Sequence, residues 1–172
     1  MKKNIAILLP YKDQFIRDNA GSASIWVKDF SKNSKFKKNT TIFGYTSYIN
    51  KVFNNFKYVN LKFSNFGLQS KNLQYVNKFI DVLRKKKFSL IEIHNRPSYI
   101  LHIEKYLSNN KYILIIHNNP QTLRGAVTTN ERKRLLKICN KITFVSNWVK
   151  EKFFEGLDIK NHEKCQIVYP AI

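Results

Sequence analysis

The sequence predicts an α/β fold, a Rossmann-like open parallel sheet of about seven strands with helices on both faces. Three observations carry this expectation. Short apolar runs alternate with longer stretches of helical period along the 172 residues. The runs are apolar at successive positions, as in Ile5-Ala6-Ile7-Leu8-Leu9, which is what burial on both faces of a strand requires. The strand-helix-strand spacing also leaves room for the crossovers that parallel neighbours need.

Ile5 to Leu9 opens the chain as a strand. A long loop then reaches Gly21, and an apolar stripe at Ile25, Trp26 and Phe30 marks the first helix. Thr40 to Tyr45 and Tyr58 to Phe63 read as the next two strands. Leu73, Val76, Phe79, Ile80 and Leu83 recur at three and four residues, so Ser70 to Lys87 is an amphipathic helix. Leu90 to His94 is a strand. Pro97 opens the helix that carries Ile100, Ile103 and Leu107, because the N–H that proline lacks has no helical partner at that position. Tyr112 to His117 follows as a strand. Thr128 and Glu131 have capping-box spacing and start a helix to about Asn140. A strand at Lys141 to Ser146, a helix at Asn147 to Leu157 and a strand at Cys165 to Pro170 complete the pattern. No repeat, linker or low-complexity segment interrupts it, so residues 1–172 read as a single domain.

Charge narrows the partners. With 31 Lys and Arg against 11 Asp and Glu the formal charge is +20, which favours anionic ligands, nucleic acid or an acidic membrane surface. Lysines far outnumber the 6 arginines, a balance that also fits coding bias and a solvated lysine surface. Cys139 and Cys165 have no metal-ligand spacing and form no disulfide framework, so a reducing cytoplasm is expected. The opening MKKNIAILLPYKD imitates a signal peptide, but its apolar run is short and Pro10 to Asp13 ends it. No stretch is long enough to span a bilayer. Peripheral docking on anionic lipid is a further expectation, through the faces of Lys71 to Lys87 and Trp148 to Phe154 that are rich in lysine and aromatics.

In open parallel sheets ligands lie outside the carboxyl ends of the strands, so the polar strand ends are the candidate site. These are Gly21 with Ser22, His94-Asn95-Arg96, His117-Asn118 and Ser146-Asn147. Gly21 and Ser22 sit where a helix begins, and exposed amides there favour a phosphate or another anion. Arg96 offers a planar fork of donors to an anionic or polyhydroxy ligand. His117 ends a buried strand in a loop held by Pro120, and a neutral imidazole there can donate to a sugar hydroxyl or a phosphate oxygen. No acid or thiol accompanies His94 and His117 in their motifs, so no metal is expected. The dinucleotide and P-loop glycine patterns are absent, as are the G-x-S-x-G elbow and any paired carboxylates at strand ends.

These segments resemble the N-terminal domain of the GT-B glycosyltransferases, specifically the retaining family 4 group that builds lipopolysaccharide, capsule and related glycans. The residues that carry the resemblance are the first strand with Gly21-Ser22, EIHNRPSYI from Glu92 to Ile100, and LIIHNNPQTLRG from Leu114 to Gly125. More specific are Asn130 to Phe153, where a strand ending in Val-Ser lies between two basic helices, and the closing IVYPAI from Ile167 to Ile172. The first loop departs from the family, which usually has two adjacent glycines where this chain has Ala20-Gly21. Tyr169-Pro170-Ala171 replaces the commoner Pro-Gly or Asn-Gly.

The resemblance implies a nucleotide-sugar donor, a glycan or lipid-linked acceptor, and no cofactor. It implies His117 as the catalytic residue facing the transferred sugar. Gly21, Ser22, Ser146 and Asn147 would lie on the donor side, and His94, Asn95, Arg96 and Asn118 on the acceptor side. The family's second, nucleotide-sugar-binding domain is not within these residues, so the chain alone is expected to turn nothing over. Two alternatives stay open. One is a basic nucleic-acid-binding α/β domain, suggested by Arg84 to Lys87 and Arg132 to Arg134 but lacking a binding motif. The other is a non-catalytic sugar-binding module.

Overall fold

The computed structural model describes residues 4–63 and 69–170. Ala171 and Ile172, which end the closing segment, lie outside the described residues, as do Met1 to Lys3 of the signal-like start. The chain divides into two compact units, Met1–Ser89 and Leu90–Ile172. The first contains β1 (Ile5–Leu8), α1 (Ser22–Lys32), β2 (Thr40–Gly44), β3 (Lys57–Asn60) and α2 (Lys71–Lys85). The second contains β4 (Leu90–His94), α3 (Pro97–Ile103), β5 (Lys111–Ile116), α4 (Thr129–Ile138), β6 (Lys141–Phe144), α5 (Asn147–Phe154) and β7 (Cys165–Ile167). The sheet has seven strands in the order β3-β2-β1-β4-β5-β6-β7, the open α/β architecture that the sequence predicts.

In the first unit β1 runs parallel to β2, and β2 to β3. Its core is Ile7, Leu9, Phe15, Ala23, Val27 and Ile42, and the Phe15 ring meets Phe53 and Phe56 edge-on. Burying each of the larger side chains contributes roughly 1.5–3 kcal/mol. Tyr75 is fully buried, and its hydroxyl donates to the carbonyl of Leu9 at 2.9 Å, which satisfies the polar end of an otherwise apolar contact.

One expectation fails here. The apolar stripe Ile25, Trp26, Phe30 is not the buried face of α1. Ile25 is 45% and Phe30 37% exposed, and Trp26 stacks on Phe30 with ring centres 3.9 Å apart. The buried residues are Ala23, Ser24, Val27 and Ser31. Residues 23, 27 and 31 form an equally regular stripe rotated round the helix. Small side chains on it let the helix lie close to its neighbours, whereas hydrophobicity alone favours the larger residues.

In the second unit β4, β5, β6 and β7 are parallel in sequence, with the fully buried Ile91, Ile93, Leu114, Ile116, Ile142, Phe144 and Phe153 at its centre. The capping box forms as predicted. Thr128 Oγ1 accepts from the Glu131 amide at 3.1 Å, and the Glu131 carboxylate accepts from the Thr128 amide at 3.0 Å. Gly125 has φ +91°, and a Cβ there would stand 2.5 Å from the Ser98 nitrogen, so only glycine brings this loop against the start of α3. Among the described residues no helix is long and apolar enough to cross a membrane.

Candidate functional site

In the second unit the carboxyl ends of β4 and β5 lie side by side, with His94 in register with Ile115. Side chains two residues apart on a strand share a face. Glu92 and His94 therefore share a face, and His117 continues the face of Ile113 and Ile115. The result is a chain of three groups. Glu92 Oε1 lies 2.8 Å from His94 Nε2, and His94 Nδ1 lies 3.1 Å from His117 Nε2. His94 is fully buried and His117 half-buried. Glu92 is the residue that the motif reading passed over. Its position two residues before His94 was the available signal.

The next residue, Asn95, turns the chain with φ +52°, a left-handed conformation that asparagine tolerates better than most residues. Its side-chain oxygen accepts from the amides of both His117 and Asn118, each at 3.3 Å, and its own amide donates to the Ile115 carbonyl at 2.7 Å. Asn95 thus ties one strand end to the other and fixes the backbone from which the His117 ring projects. Arg96, half-buried, donates from its guanidinium to the Asn95 carbonyl at 2.9 Å. Asn118 is exposed. His94, Asn95, Arg96, His117 and Asn118 are therefore brought together.

The electrostatics make His117 a neutral group. Burial first, and the neighbouring His94 ring second, push its pKa down to about 3. The two contacts tie three side chains together, Glu92 against one nitrogen of the His94 ring and His117 against the other. Among the described residues no group of three His, Cys, Asp or Glu side chains is placed to hold a metal ion.

At the end of β6, Ser146 is the N-cap of α5, its Oγ accepting from the Val149 amide at 3.2 Å, and Asn147 is exposed beside it. Gly21 and Ser22 belong to the first unit. Gly21 is the N-cap of α1, and a Cβ on it would meet the Asp13 carboxylate at 2.5 Å. That carboxylate accepts from the amides of Ala23 at 3.2 Å and Ser24 at 3.1 Å. The anion at this helix start is the protein's own, a role for Asp13 that its place in a long polar loop did not reveal.

Two surface expectations also change. Of the aromatic residues on α5, Phe153 and Phe154 are buried and only Trp148 is largely exposed; on α2, Tyr75 and Phe79 are core residues. Arg132, from one of the basic clusters, is 3% exposed. Its guanidinium donates to the carbonyls of Ala126, Val127 and Glu155, which makes it a structural clamp rather than a phosphate ligand.

No protein-family model matches this chain, and no curated protein does. Solved structures do. HepE of Anabaena in complex with UDP-glucose superposes with a TM-score of 0.65 at 11% identity, covering 98% of this chain and 44% of its own. A UDP-N-acetylglucosamine 2-epimerase from Rickettsia bellii gives 0.61 at 14% identity over 99% and 45%. A glycosyltransferase from Rickettsia africae gives 0.61 at 13% identity over 98% and 43%. The chain spans less than half the length of each of these proteins. At such identities the likeness shows the fold, which is the Rossmann-like parallel architecture of GT-B proteins.

Proposed function

We propose that this chain is the acceptor-side half of a retaining, family 4 type glycosyltransferase, moving a sugar from a nucleotide-sugar donor to a glycan or lipid-linked acceptor. The observation that carries the reading is the Glu92–His94–His117 chain at the carboxyl ends of two parallel strands, where such sheets bind ligands. The binding of UDP-glucose by HepE supports a uridine nucleotide as the donor class.

On this reading His117 works by position. A ring with its pKa near 3 is a weak base at neutral pH, far from the pKa that suits a general base. It also places no positive charge beside the oxocarbenium-like carbon of the transferred sugar. The contact with His94 at 3.1 Å holds the ring at the strand end, where it meets the transferred sugar. In retention the leaving diphosphate takes the acceptor's proton on the same face of the sugar, and the protein supplies orientation and charge stabilisation. Arg96 and Asn118 supply polar groups for the acceptor. Asn147, at the first turn of α5, faces the donor.

The test uses the intact gene product with UDP-glucose and UDP-N-acetylglucosamine over a panel of glycan acceptors. Acceptor-dependent release of UDP, with the donor's anomeric configuration kept in the product by NMR, is the expected result. An inverted product would overturn retention. Acceptor-independent conversion of the UDP-sugar to an epimer would overturn transfer.

A further inference from the structure

The first unit carries a concavity that none of the candidate site residues above lines. It is a cavity of about 410 Å³, a size suited to a small ligand. Its walls come from the loop after β1 (Tyr11, Lys12 and Gln14), the loop after β2 (Tyr45 and Tyr48) and the first residue of α2 (Lys71). These segments follow the carboxyl ends of parallel strands or open the next helix, the edge at which open sheets take ligands.

The walls are held in place without a ligand. The Tyr11 ring packs on Tyr45 at 5.3 Å and on Phe63 and Tyr75 at 5.5 Å. Asn60, at the end of β3, grips the second loop at both of its peptide groups. Its side-chain oxygen accepts from the Thr46 amide at 3.0 Å, and its nitrogen donates to the Thr46 carbonyl at 2.9 Å. The buried Thr46 hydroxyl then donates to Gln14 at 2.8 Å and accepts from the Tyr48 amide at 3.0 Å, joining the two loops. Pre-formed walls of this kind lower the ordering cost of binding.

We propose that this cavity is a binding site for a phosphorylated sugar. Tyr11, Tyr45 and Tyr48 give the cavity an aromatic lining suited to the C–H face of a pyranose; Tyr48 is 54% exposed, with Lys51 over its ring at 5.8 Å. Gln14 and the tyrosine hydroxyls are partners for ring hydroxyls. Lys12 and Lys71 supply two positive charges, which match a phosphate dianion better than a single carboxylate. Among the described residues that line the cavity none is acidic. The assignment stands on the first unit alone and on no step of the transfer proposed above.

Isothermal titration calorimetry on the 172-residue chain with glucose 6-phosphate, glucose and inorganic phosphate tests it. The sugar phosphate is expected to bind at least about tenfold more tightly than either half alone. Lys12→Gln with Lys71→Gln should bring its affinity down to that of glucose. Lys85→Gln with Lys86→Gln, on exposed positions elsewhere, should leave it unchanged and so control for the overall charge. Tyr48→Ala should weaken binding severalfold at constant melting temperature. Inorganic phosphate binding as tightly as the sugar phosphate would reduce the effect to net charge and overturn the site. So would a Lys12/Lys71 double variant with undiminished affinity, or no measurable binding of glucose 6-phosphate.

Discussion

His117 has an environment that works against its own charge, and this has a consequence for stability that is separate from any catalysis. Its pKa lies near 3 in the folded chain and near the ordinary value of about 6.5 when unfolded. Above about pH 6.5 neither state binds a proton at this ring, so it adds no pH dependence. As the pH falls the unfolded chain takes up a proton that the native ring refuses, and stability declines until the pH nears 3. His102, lowered by burial and by Lys105, acts in the same direction. The lowered carboxyls of Glu155 and Asp158 act only at still lower pH. Urea unfolding at pH 7 and pH 5 should show a loss of roughly 2 kcal/mol in the native chain. His117→Gln, which keeps an N–H to offer His94, should lose less than half as much. Equal losses in the two proteins would mean that His117 is not held neutral.

At the scale of elements, the seven strands could be read from short runs rich in apolar residues, and the starts of α3 and α4 from Pro97 and Thr128. Those signals are local: a blocked donor or a capping hydroxyl acts within one turn. What escaped the sequence depends on contacts between distant segments. The buried face of α1 is set by close packing of Ala23 and Val27, not by the largest apolar residues. Asp13 reaches the amides of Ala23 and Ser24 across ten or eleven residues of loop, and Arg132 turns inward to carbonyls up to 23 residues away. The His94–His117 contact follows from strand register, which single-sequence patterns do not fix; only the pairing of Glu92 with His94 lay within reach of the two-residue strand period.

Gly125 shows how much one such contact holds. A methyl group there would run into the Ser98 backbone while φ stays positive. Gly125→Ala should therefore cost at least roughly 2 kcal/mol in chemical denaturation, with the loss concentrated in the second unit. A change within about 0.5 kcal/mol would show that the loop and the start of α3 can part without cost.

For the molecule as a whole, the +20 charge is the most visible property and the least specific. A field of that size attracts many anions, and the buried Arg132 shows that a basic run in sequence is not always a basic surface. Fold alone does not assign chemistry either, since one GT-B-like likeness is to a glycosyltransferase and another to an epimerase. The account rests on a partly exposed carboxylate and a buried imidazole holding a second, neutral imidazole at a strand end. The direct test is to measure kcat/KM and melting temperature together for the intact gene product and for His117→Gln. Loss of a transition-state contact worth roughly 3 kcal/mol predicts a fall in kcat/KM of about a hundredfold or more, with the melting temperature shifted by no more than a few degrees. A large fall in melting temperature with activity per folded molecule intact would contradict it, and would make His117 a structural residue.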